Sequence, residues 1–270
     1  MPSPDFPGGE LELPQALFAV SLSVVVPCYN ELATVERLLR RVRTLPLDLE
    51  VIVVDDGSVD GTRDLLRKLE RTELIDVLVL LPSNRGKGAA LRAGFERATG
   101  DIVAVQDADL EYDPVQLPSL VAPIVEGLAD AVYGSRFTGP RQNTYYYWNH
   151  VGNRVITTVS NAFTNLRLTD IETCYKVIRR DLLRTLPLTA RSFTIEPEIT
   201  ARLAQSRARV VELPISYHGR SYEEGKKIGW RDGVRALRAI LQFNILGPKA
   251  KRWKRPDRDP WRERNPETGK

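Results

Sequence analysis

Two patterns of apolar residues alternate along the first half of the chain. Short runs that are apolar at nearly every position are separated by segments in which apolar residues recur every three or four positions. The runs are typical of strands buried in a parallel sheet, and the spaced segments are typical of helices packed against it. Strands are predicted at residues 22–26, 50–54, 77–81, 101–106 and 131–133, and helices at 31–44, 61–71, 86–98 and 114–126. The alternation predicts an α/β fold with a mostly parallel, doubly wound sheet.

The second half of the chain is less regular. Helices are predicted at 148–165 and 195–204, and an edge strand at 210–215, because Pro214 is tolerated only at an edge or a strand end. Residues 228–246 place apolar positions on one side of an amphipathic C-terminal helix, which Gly247-Pro248 would end. We therefore expect a disordered lead-in over 1–20, one domain over 21–247 and a basic, flexible tail over 248–270.

Composition and charge exclude several classes of protein. With 42% hydrophobic and 27% charged residues, the chain is neither collagenous nor disordered. The net charge is +4, but residues 249–270 hold nine Lys and Arg against four acids, so the rest of the chain is nearly neutral and nucleic-acid binding by it is not expected. No apolar run approaches the roughly 20 residues of a membrane-spanning helix, and the first residues lack the basic start of a signal peptide.

The two cysteines give a further constraint. Cys28 and Cys174 lie far apart and have no CxxC spacing, which disfavours a disulfide framework and a structural zinc site. We expect both thiols to be buried as small apolar groups in a reducing compartment.

Polar loops follow three of the predicted strands. They cover residues 27–31, 55–62 and 107–109, and the carboxyl ends of neighbouring strands meet at one crevice of such a sheet. Asp107 and Asp109 flank a small residue, so both carboxylates can reach a hard divalent cation that bridges phosphate oxygens. No usable GxGxxG motif occurs, which disfavours a nicotinamide-dinucleotide domain.

These loops form part of an ordered series of motifs. The series is P-x-Y-N-E at 27–31, D-D-G-S-x-D-G-T at 55–62, N-x-G-K-G at 84–88, D-A-D at 107–109, G-S-R-F at 134–137 and T-D-I-E-T-C-Y-K at 169–176. Over residues 22–246 the chain resembles the family 2 inverting glycosyltransferases of the GT-A fold, specifically the dolichyl-phosphate-mannose-synthase-like branch that acts on polyprenyl phosphates. The resemblance implies transfer of a hexose from a UDP-glucose or GDP-mannose type of donor to a polyprenyl phosphate, with Mg²⁺ or Mn²⁺ as cofactor.

The resemblance also implies roles for single residues. Contacts to the nucleotide base and ribose are expected from Pro27, Tyr29, Glu31 and Asp55, with Asp56 in the same motif. The metal on the donor diphosphate would be held by Asp107 and Asp109, with Ala108 between them and Glu111 where many relatives have Gln. A basic pair, Arg220 and Lys226, would close over the diphosphate.

Acceptor binding and catalysis involve a second group. Arg136 is expected to face the donor or acceptor phosphates, and Arg141 and His150 are candidates for the acceptor phosphate. Asp170 would position the sugar or the acceptor, and Glu172 stands where some relatives have Thr. One of Glu196 and Glu198 is a candidate sugar contact, unless both are only favourable acids in a first helical turn. The expected catalytic residues are Asp109, Arg136 and Asp170.

Two other functions and one localisation follow from the same residues. The chain could be a soluble family 2 enzyme with a small-molecule or polysaccharide acceptor, or a nucleotide-sugar-binding protein without turnover. We expect a cytoplasmic protein bound peripherally to the membrane, with Trp253 and Trp261 of the basic tail docking on anionic lipid, the alternative being a solvated tail. The aromatic cluster at 145–148 would meet lipid headgroups, or else pack in the core or at an oligomer contact.

Overall fold

The computed structural model describes residues 15–138, 147–219 and 230–257, together with Asp259 and Trp261. A single sheet runs through it in the order β3-β2-β1-β4-β6-β5-β7. The strands are β1 (Ser21–Cys28), β2 (Asp48–Asp55), β3 (Val77–Leu80), β4 (Ile102–Val105), β5 (Ala131–Ser135), β6 (Lys176–Arg179) and β7 (Val210–Pro214). All neighbouring strands are parallel except β6, which runs antiparallel to both β4 and β5. The predicted mostly parallel α/β sheet is confirmed.

Eight helices are described around this sheet. They are α1 (Val35–Val42), α2 (Thr62–Glu70), α3 (Lys87–Arg97), α4 (Leu117–Val125), α5 (Tyr147–Thr164), α6 (Arg180–Leu183), α7 (Ile195–Ser206) and α8 (Trp230–Leu241). The buried side chains of β1, β2 and β4 meet apolar residues of α1, α3 and α4 in one continuous core. Because β1, β2 and β4 are parallel to one another, the polar loops at their carboxyl ends lie at one rim of the sheet.

Strand β6 was not predicted. Its sequence begins and ends with Lys176 and Arg179, yet all four of its residues are buried. Both cations are buried because they are paired, Lys176 with Glu196 and Arg179 with Asp181 and Asp259. Buried charges of this kind need partners that are distant in sequence, so apolar patterning could not find this strand.

The predicted C-terminal amphipathic helix is not confirmed in its expected form. Helix α8 is followed by a π-helical turn at Gln242–Leu246. Ile240 and Phe243 pack into the domain, but Val234, Leu241 and Ile245 are exposed. Three of the six residues predicted to form the packing side are therefore exposed, and another, Ile228, lies outside the described residues.

Both termini contain residues that pack against the domain. Gln15–Ala19 forms a 3₁₀ helix with Leu17 buried, so the predicted disordered lead-in does not extend to residue 20. In the predicted tail, Lys249, Lys251, Arg252 and Lys254 are exposed, but Trp261 is buried and its ring centroid lies 4.7 Å from the Arg179 guanidinium. Asp259 pairs with the same guanidinium at 2.5 Å. The buried Arg179 needs a partner for its charge, and Asp259 supplies one.

Two smaller expectations concern the cysteines and the membrane. Cys28 and Cys174 are free and buried, as predicted. Within the described ranges, no helix has the length and apolar character needed to cross a bilayer.

Candidate active site

The loops after β1 and β2 are joined to each other at the rim. Asn30, whose φ is +55°, accepts a hydrogen bond through Oδ1 from the Val59 amide at 2.9 Å, and the Asn30 amide donates to Ser58 Oγ at 2.9 Å. Pro27, Tyr29 and Glu31 therefore stand beside the second loop, partly accessible. Glu31 is also anchored, since its amide donates to Thr62 Oγ1 and its carboxylate accepts from Thr34 Oγ1 at 2.9 Å. These three predicted nucleotide contacts share one surface.

Asp55, the last residue of β2, and Asp56, which follows it, are buried beneath this surface. Asp55 is fully buried, forms an ion pair with Arg63 at 2.6 Å and accepts hydrogen bonds from the Gly57 and Ser58 amides. Asp56 accepts hydrogen bonds from the Arg85 and Gly86 amides at 2.8 and 2.7 Å. Asp55 thus holds its own loop, and Asp56 holds the start of α3.

Gly86 makes the start of α3 possible. Its φ is +92°, and a Cβ there would lie 2.5 Å from the Arg191 carbonyl oxygen. Only glycine suits such a left-handed, closely packed position. The turn places the next residue, Lys87, at the rim.

Lys87 was missing from the predicted site residues, although the N-x-G-K-G motif contains it. Its Nζ lies 2.8 Å from Asp107 Oδ1 and 3.0 Å from Glu196 Oε1. Burial alone would lower the pKa of Lys87, but the Asp107 and Glu196 carboxylates raise it well above its usual value. The side chain is therefore a permanent cation beside the D-A-D loop.

The D-A-D loop follows β4. Asp107 is a quarter exposed, Ala108 and Asp109 are buried, and Asp109 Oδ1 accepts a hydrogen bond from the Glu111 amide. Across the described residues, no group of three or more His, Cys, Asp or Glu side chains gathers into a metal site. Two carboxylates at this rim suit a hard cation whose other ligands are diphosphate oxygens and water. The donor set therefore fits Mg²⁺ or Mn²⁺ held by Asp107 and Asp109.

Arg136 is fixed by Asp170. Its Nε and Nη2 donate to Asp170 Oδ2 and Oδ1 at 2.6 and 2.8 Å, and its backbone amide donates to Oδ2 at 3.2 Å. Asp170 is fully buried, and its own amide donates to Glu212. Burial lowers the pKa of Arg136, but the Asp170 carboxylate more than offsets this and holds it well above its usual value. The predicted pair is brought together, with Asp170 positioning Arg136.

Of the two glutamates at the start of α7, only Glu196 faces the rim. It bridges Lys87 and Lys176, the latter at 2.5 Å. Glu198 is fully buried and accepts hydrogen bonds from the Thr189 and Ala190 amides, so it anchors the segment before α7.

Glu172 lies between these ion pairs. Its Oε1 is buried and has no hydrogen-bond partner. Burial and the neighbouring Glu196 carboxylate raise the pKa of Glu172 to about 7, although Lys176 and Arg136 act in the opposite direction. A carboxyl group that is protonated near neutral pH can donate a hydrogen bond as well as accept one.

A cleft of about 670 Å³ opens beside the nucleotide loops, lined by residues that include Glu31, Arg37, Glu111 and His218. Its wall depends on Tyr217, another residue that the sequence did not single out. Tyr217 donates to Glu111 Oε2 at 2.8 Å, and its ring centroid lies 5.2 Å from the Arg136 guanidinium. Tyr217 therefore links the segment before residue 220 to both the D-A-D loop and Arg136.

The remaining predicted residues are only partly described. His150 is half-buried in the first turn of α5, with its ring 4.8 Å from that of Phe137, next to Arg136. Arg141, Arg220 and Lys226 lie outside the described residues. Their expected roles at the acceptor phosphate and the diphosphate stay predictions.

Comparison with known proteins agrees with this architecture. Residues 23–186 match the family "Glycosyl transferase family 2". An undecaprenyl-phosphate 4-deoxy-4-formamido-L-arabinose transferase from Aeromonas hydrophila is 32% identical over 212 residues, covering 76% of this chain and 62% of the relative. The low-salt glycan biosynthesis hexosyltransferase Agl6 of Haloferax volcanii is 30% identical over 229 residues, covering 83% and 54%. This chain therefore spans less than two thirds of the length of either relative.

Solved structures show the same fold. Glucosyl-3-phosphoglycerate synthase from Mycobacterium tuberculosis, in complex with Mn²⁺, UDP and phosphoglyceric acid, superposes with a TM-score of 0.67 at 21% identity, covering 88% of this chain and 83% of the other. The mixed, mostly parallel sheet and its helices therefore form the GT-A fold. The chain belongs to glycosyl transferase family 2.

Proposed function

We propose that the protein transfers a hexose from a nucleotide-sugar to a polyprenyl phosphate, with inversion at the anomeric carbon. The observation that carries this proposal is the placement of two fixed cations around the D-A-D loop. Lys87 pairs with Asp107, and Arg136, held by Asp170, stacks on Tyr217, which donates a hydrogen bond to Glu111 just after that loop. The similarity to an undecaprenyl-phosphate sugar transferase supports the choice of acceptor.

The reaction would be a single in-line displacement. An oxygen of the acceptor phosphate forms a bond to the anomeric carbon while the bond from that carbon to the donor diphosphate breaks, and the diphosphate leaves with the electron pair. The acceptor phosphate is already an anion near neutral pH, so no strong general base is needed. The residues instead have to bind, orient and neutralise two phosphate groups.

The described residues divide this work. Pro27, Tyr29 and Glu31 would bind the base and ribose on the surface beside the 670 Å³ cleft. Asp107 and Asp109 would hold Mg²⁺ or Mn²⁺, which supplies charge neutralisation on the donor diphosphate when bound. Lys87 adds a fixed positive charge beside the same loop.

The acceptor phosphate would be held by Arg136. Asp170 occupies its Nε and Nη2, and among the described residues no hydrogen-bond partner is found for Nη1. His150, on the neighbouring helix, would contribute at the same place, together with Arg141. Glu196, which pairs with Lys87, and the neighbouring Glu172 are the candidates for contact with a sugar hydroxyl.

A transfer assay tests the proposal. The protein is incubated with Mg²⁺ or Mn²⁺, radiolabelled UDP-glucose or GDP-mannose, and a short-chain polyprenyl phosphate, with 3-phosphoglycerate as a water-soluble acceptor in parallel. We expect label in the lipid phosphate fraction. Label only in the water-soluble acceptor would favour the soluble enzyme, and donor binding without transfer would favour a binding protein.

Asp109→Asn tests the metal assignment in the same assay. We expect at least a 100-fold loss of transfer, because one of two metal-ligating carboxylates is removed. Asp64→Asn, an exposed aspartate on α2, is the matched control and should retain full activity. Full activity of Asp109→Asn would rule out its role as a metal ligand.

A further inference from the structure

The D-A-D loop and Arg136 follow strands that are not neighbours. The loop comes after β4 and Arg136 comes after β5, and the antiparallel strand β6 lies between these two strands in the sheet. Adjacent strands are about 5 Å apart, so β4 and β5 are separated by about 10 Å. In the proposed reaction the donor diphosphate and the acceptor phosphate have to meet across this gap. A side chain that contacts both sides can therefore place the two substrates relative to each other.

Tyr217 lies in a segment that crosses this gap. Tyr217 pairs with Tyr112 in an antiparallel bridge, and the next amide, that of His218, donates to the Glu111 carbonyl oxygen at 2.8 Å. The segment follows β7, which is at the opposite edge of the sheet from β3. The two backbone contacts therefore bring it from the β7 edge back to the residues that follow the D-A-D loop.

The hydroxyl of Tyr217 faces the donor side. It donates to Glu111 Oε2 at 2.8 Å, and the Glu111 amide in turn donates to Asp109 Oδ1 at 3.2 Å. Burial and the Glu111 carboxylate raise the pKa of Tyr217 above its usual value, although Arg136 acts in the opposite direction, so the hydroxyl keeps its proton for this hydrogen bond. Hydrogen bonds to ionised acceptors are stronger than neutral ones. The hydroxyl therefore holds Glu111, and through it the end of the D-A-D loop.

The ring of Tyr217 faces the acceptor side. Its centroid lies 5.2 Å from the Arg136 guanidinium carbon, and that of the Phe137 ring lies 5.5 Å from the same carbon. Asp170 binds two of the guanidinium nitrogens, so the two rings add contacts that the carboxylate does not supply. The Tyr217 ring is itself packed against the Tyr112 ring, with the centroids 5.2 Å apart. The ring therefore limits how far Arg136 can move.

We propose that Tyr217 is a positioning residue for both substrates: its hydroxyl fixes the metal-binding loop through Glu111, and its ring fixes the acceptor-binding cation Arg136. The roles of Asp109 and Arg136 in this assignment rest on the proposed function. The two ends of one side chain act on two different ligands, so substitutions that remove one end or both have different effects.

Tyr217→Phe removes the hydroxyl and keeps the ring. Binding of Mn²⁺ together with UDP or with GDP is measured by electron paramagnetic resonance of the free Mn²⁺, without acceptor and without turnover. We expect binding of metal and nucleotide to be about tenfold weaker, because a hydrogen bond to a charged group is lost. Binding of a short, water-soluble polyprenyl phosphate, measured by titration calorimetry, should stay within about twofold of the wild type, because the ring contact with Arg136 remains.

Tyr217→Leu removes both the hydroxyl and the ring. It should weaken binding of metal and nucleotide as Tyr217→Phe does, and it should also weaken binding of the polyprenyl phosphate about tenfold, because Arg136 loses one of its two ring contacts. In transfer assays, KM for the acceptor should rise in Tyr217→Leu and stay at the wild-type value in Tyr217→Phe.

Tyr133→Phe is the matched control. It removes the hydroxyl of another buried tyrosine, whose hydrogen-bond partner at 3.0 Å is Thr200 Oγ1 on α7. This variant should bind both ligands as the wild type does. A second check uses Glu111→Leu: because the hydroxyl acts through Glu111, adding Tyr217→Phe to this variant should weaken binding of metal and nucleotide by less than about twofold more. Circular dichroism and thermal unfolding check that each variant is folded.

The outcomes separate this assignment from the proposed function. Wild-type binding of metal and nucleotide by Tyr217→Phe, or wild-type binding of the acceptor by Tyr217→Leu, overturns the assignment. An equal loss of both ligands in Tyr217→Phe, or an effect that is the same with and without Glu111, also overturns it, since either result indicates a general structural role. Failure of the proposed function gives a different result. The wild type then transfers no sugar to the polyprenyl phosphate, while the difference in metal and nucleotide binding between the wild type and Tyr217→Phe remains.

Discussion

Asp170→Asn separates the positioning of Arg136 from its charge. In the wild type, Asp170 accepts three hydrogen bonds from Arg136, donated by its backbone amide, Nε and Nη2. An asparagine of the same shape keeps one acceptor oxygen, loses the negative charge and turns an amino group towards the guanidinium. Asp170 is fully buried, so no water replaces the lost interaction.

The size of the effect follows from these contacts. Hydrogen bonds to charged groups contribute about 1.5–3 kcal/mol each, and removing one partner of a buried ion pair costs about 3–5 kcal/mol. Since one oxygen remains, we expect the free energy of unfolding to fall by about 2–4 kcal/mol. A displacement of the guanidinium by about 1 Å would lower kcat/KM for the acceptor roughly 100-fold.

The chain offers a matched control in Asp130. It accepts hydrogen bonds from the same three atoms of an arginine, the amide, Nε and Nη2 of Arg209, at the β5–β7 edge of the sheet and distant from the D-A-D loop. Asp130→Asn should lower stability in urea unfolding yet leave kcat/KM for the acceptor unchanged. The reasoning is refuted if Asp170→Asn matches the wild type in acceptor kinetics, or if both variants lose activity in proportion to their stability.

Two further predictions concern the cluster around Glu196. Lys87→Met should lower kcat/KM for the donor about 100- to 1,000-fold in steady-state assays, because a fixed cation near the leaving diphosphate is removed. The control is Lys68→Met, which replaces an exposed lysine on α2. An equal loss of activity in both variants would contradict the role of Lys87. For Glu172, the pKa is raised to about 7 by burial and by Glu196, so between pH 4.5 and 7 the folded protein holds a proton that the unfolded chain has released. The free energy of unfolding should therefore fall as pH rises through this range. Glu172→Gln should remove this decrease with pH and should be more stable than the wild type at pH 8 by about 3 kcal/mol. The measurement is urea unfolding between pH 4.5 and 8, and the same dependence of the free energy of unfolding on pH in both proteins would contradict the prediction.

The strands of the parallel half were predictable because each is apolar on both faces. Residues 22–26 and 50–54 fall within β1 and β2 as observed. Strand β6 was not predictable, because it begins and ends with charged residues and so lacks the apolar pattern of a buried strand. Lys176 is buried because it pairs with Glu196, and Arg179 because it pairs with Asp181 and Asp259.

The candidate site divides in the same way. The D-A-D loop, Arg136 and Asp170 stood out as motifs, but the bidentate pairing of Arg136 with Asp170 joins residues 34 positions apart. Glu196 and Glu198 are equivalent in sequence, as acids in one first turn. Lys87 and Lys176 lie beside only the former, and the Thr189 and Ala190 amides beside the latter.

By itself, the sequence determined the order of strands and helices up to β5 and the family to which the chain belongs, because local periodicity and short motifs are written in consecutive residues. Tertiary structure alone decided which cation faces which carboxylate, which tryptophan is buried and which of Glu196 and Glu198 faces the rim. Those features depend on contacts between residues distant in the chain, where burial makes an unpaired charge costly. The basic tail shows the difference, since its composition predicted a flexible segment, whereas Trp253, Asp259 and Trp261 lie against Arg179.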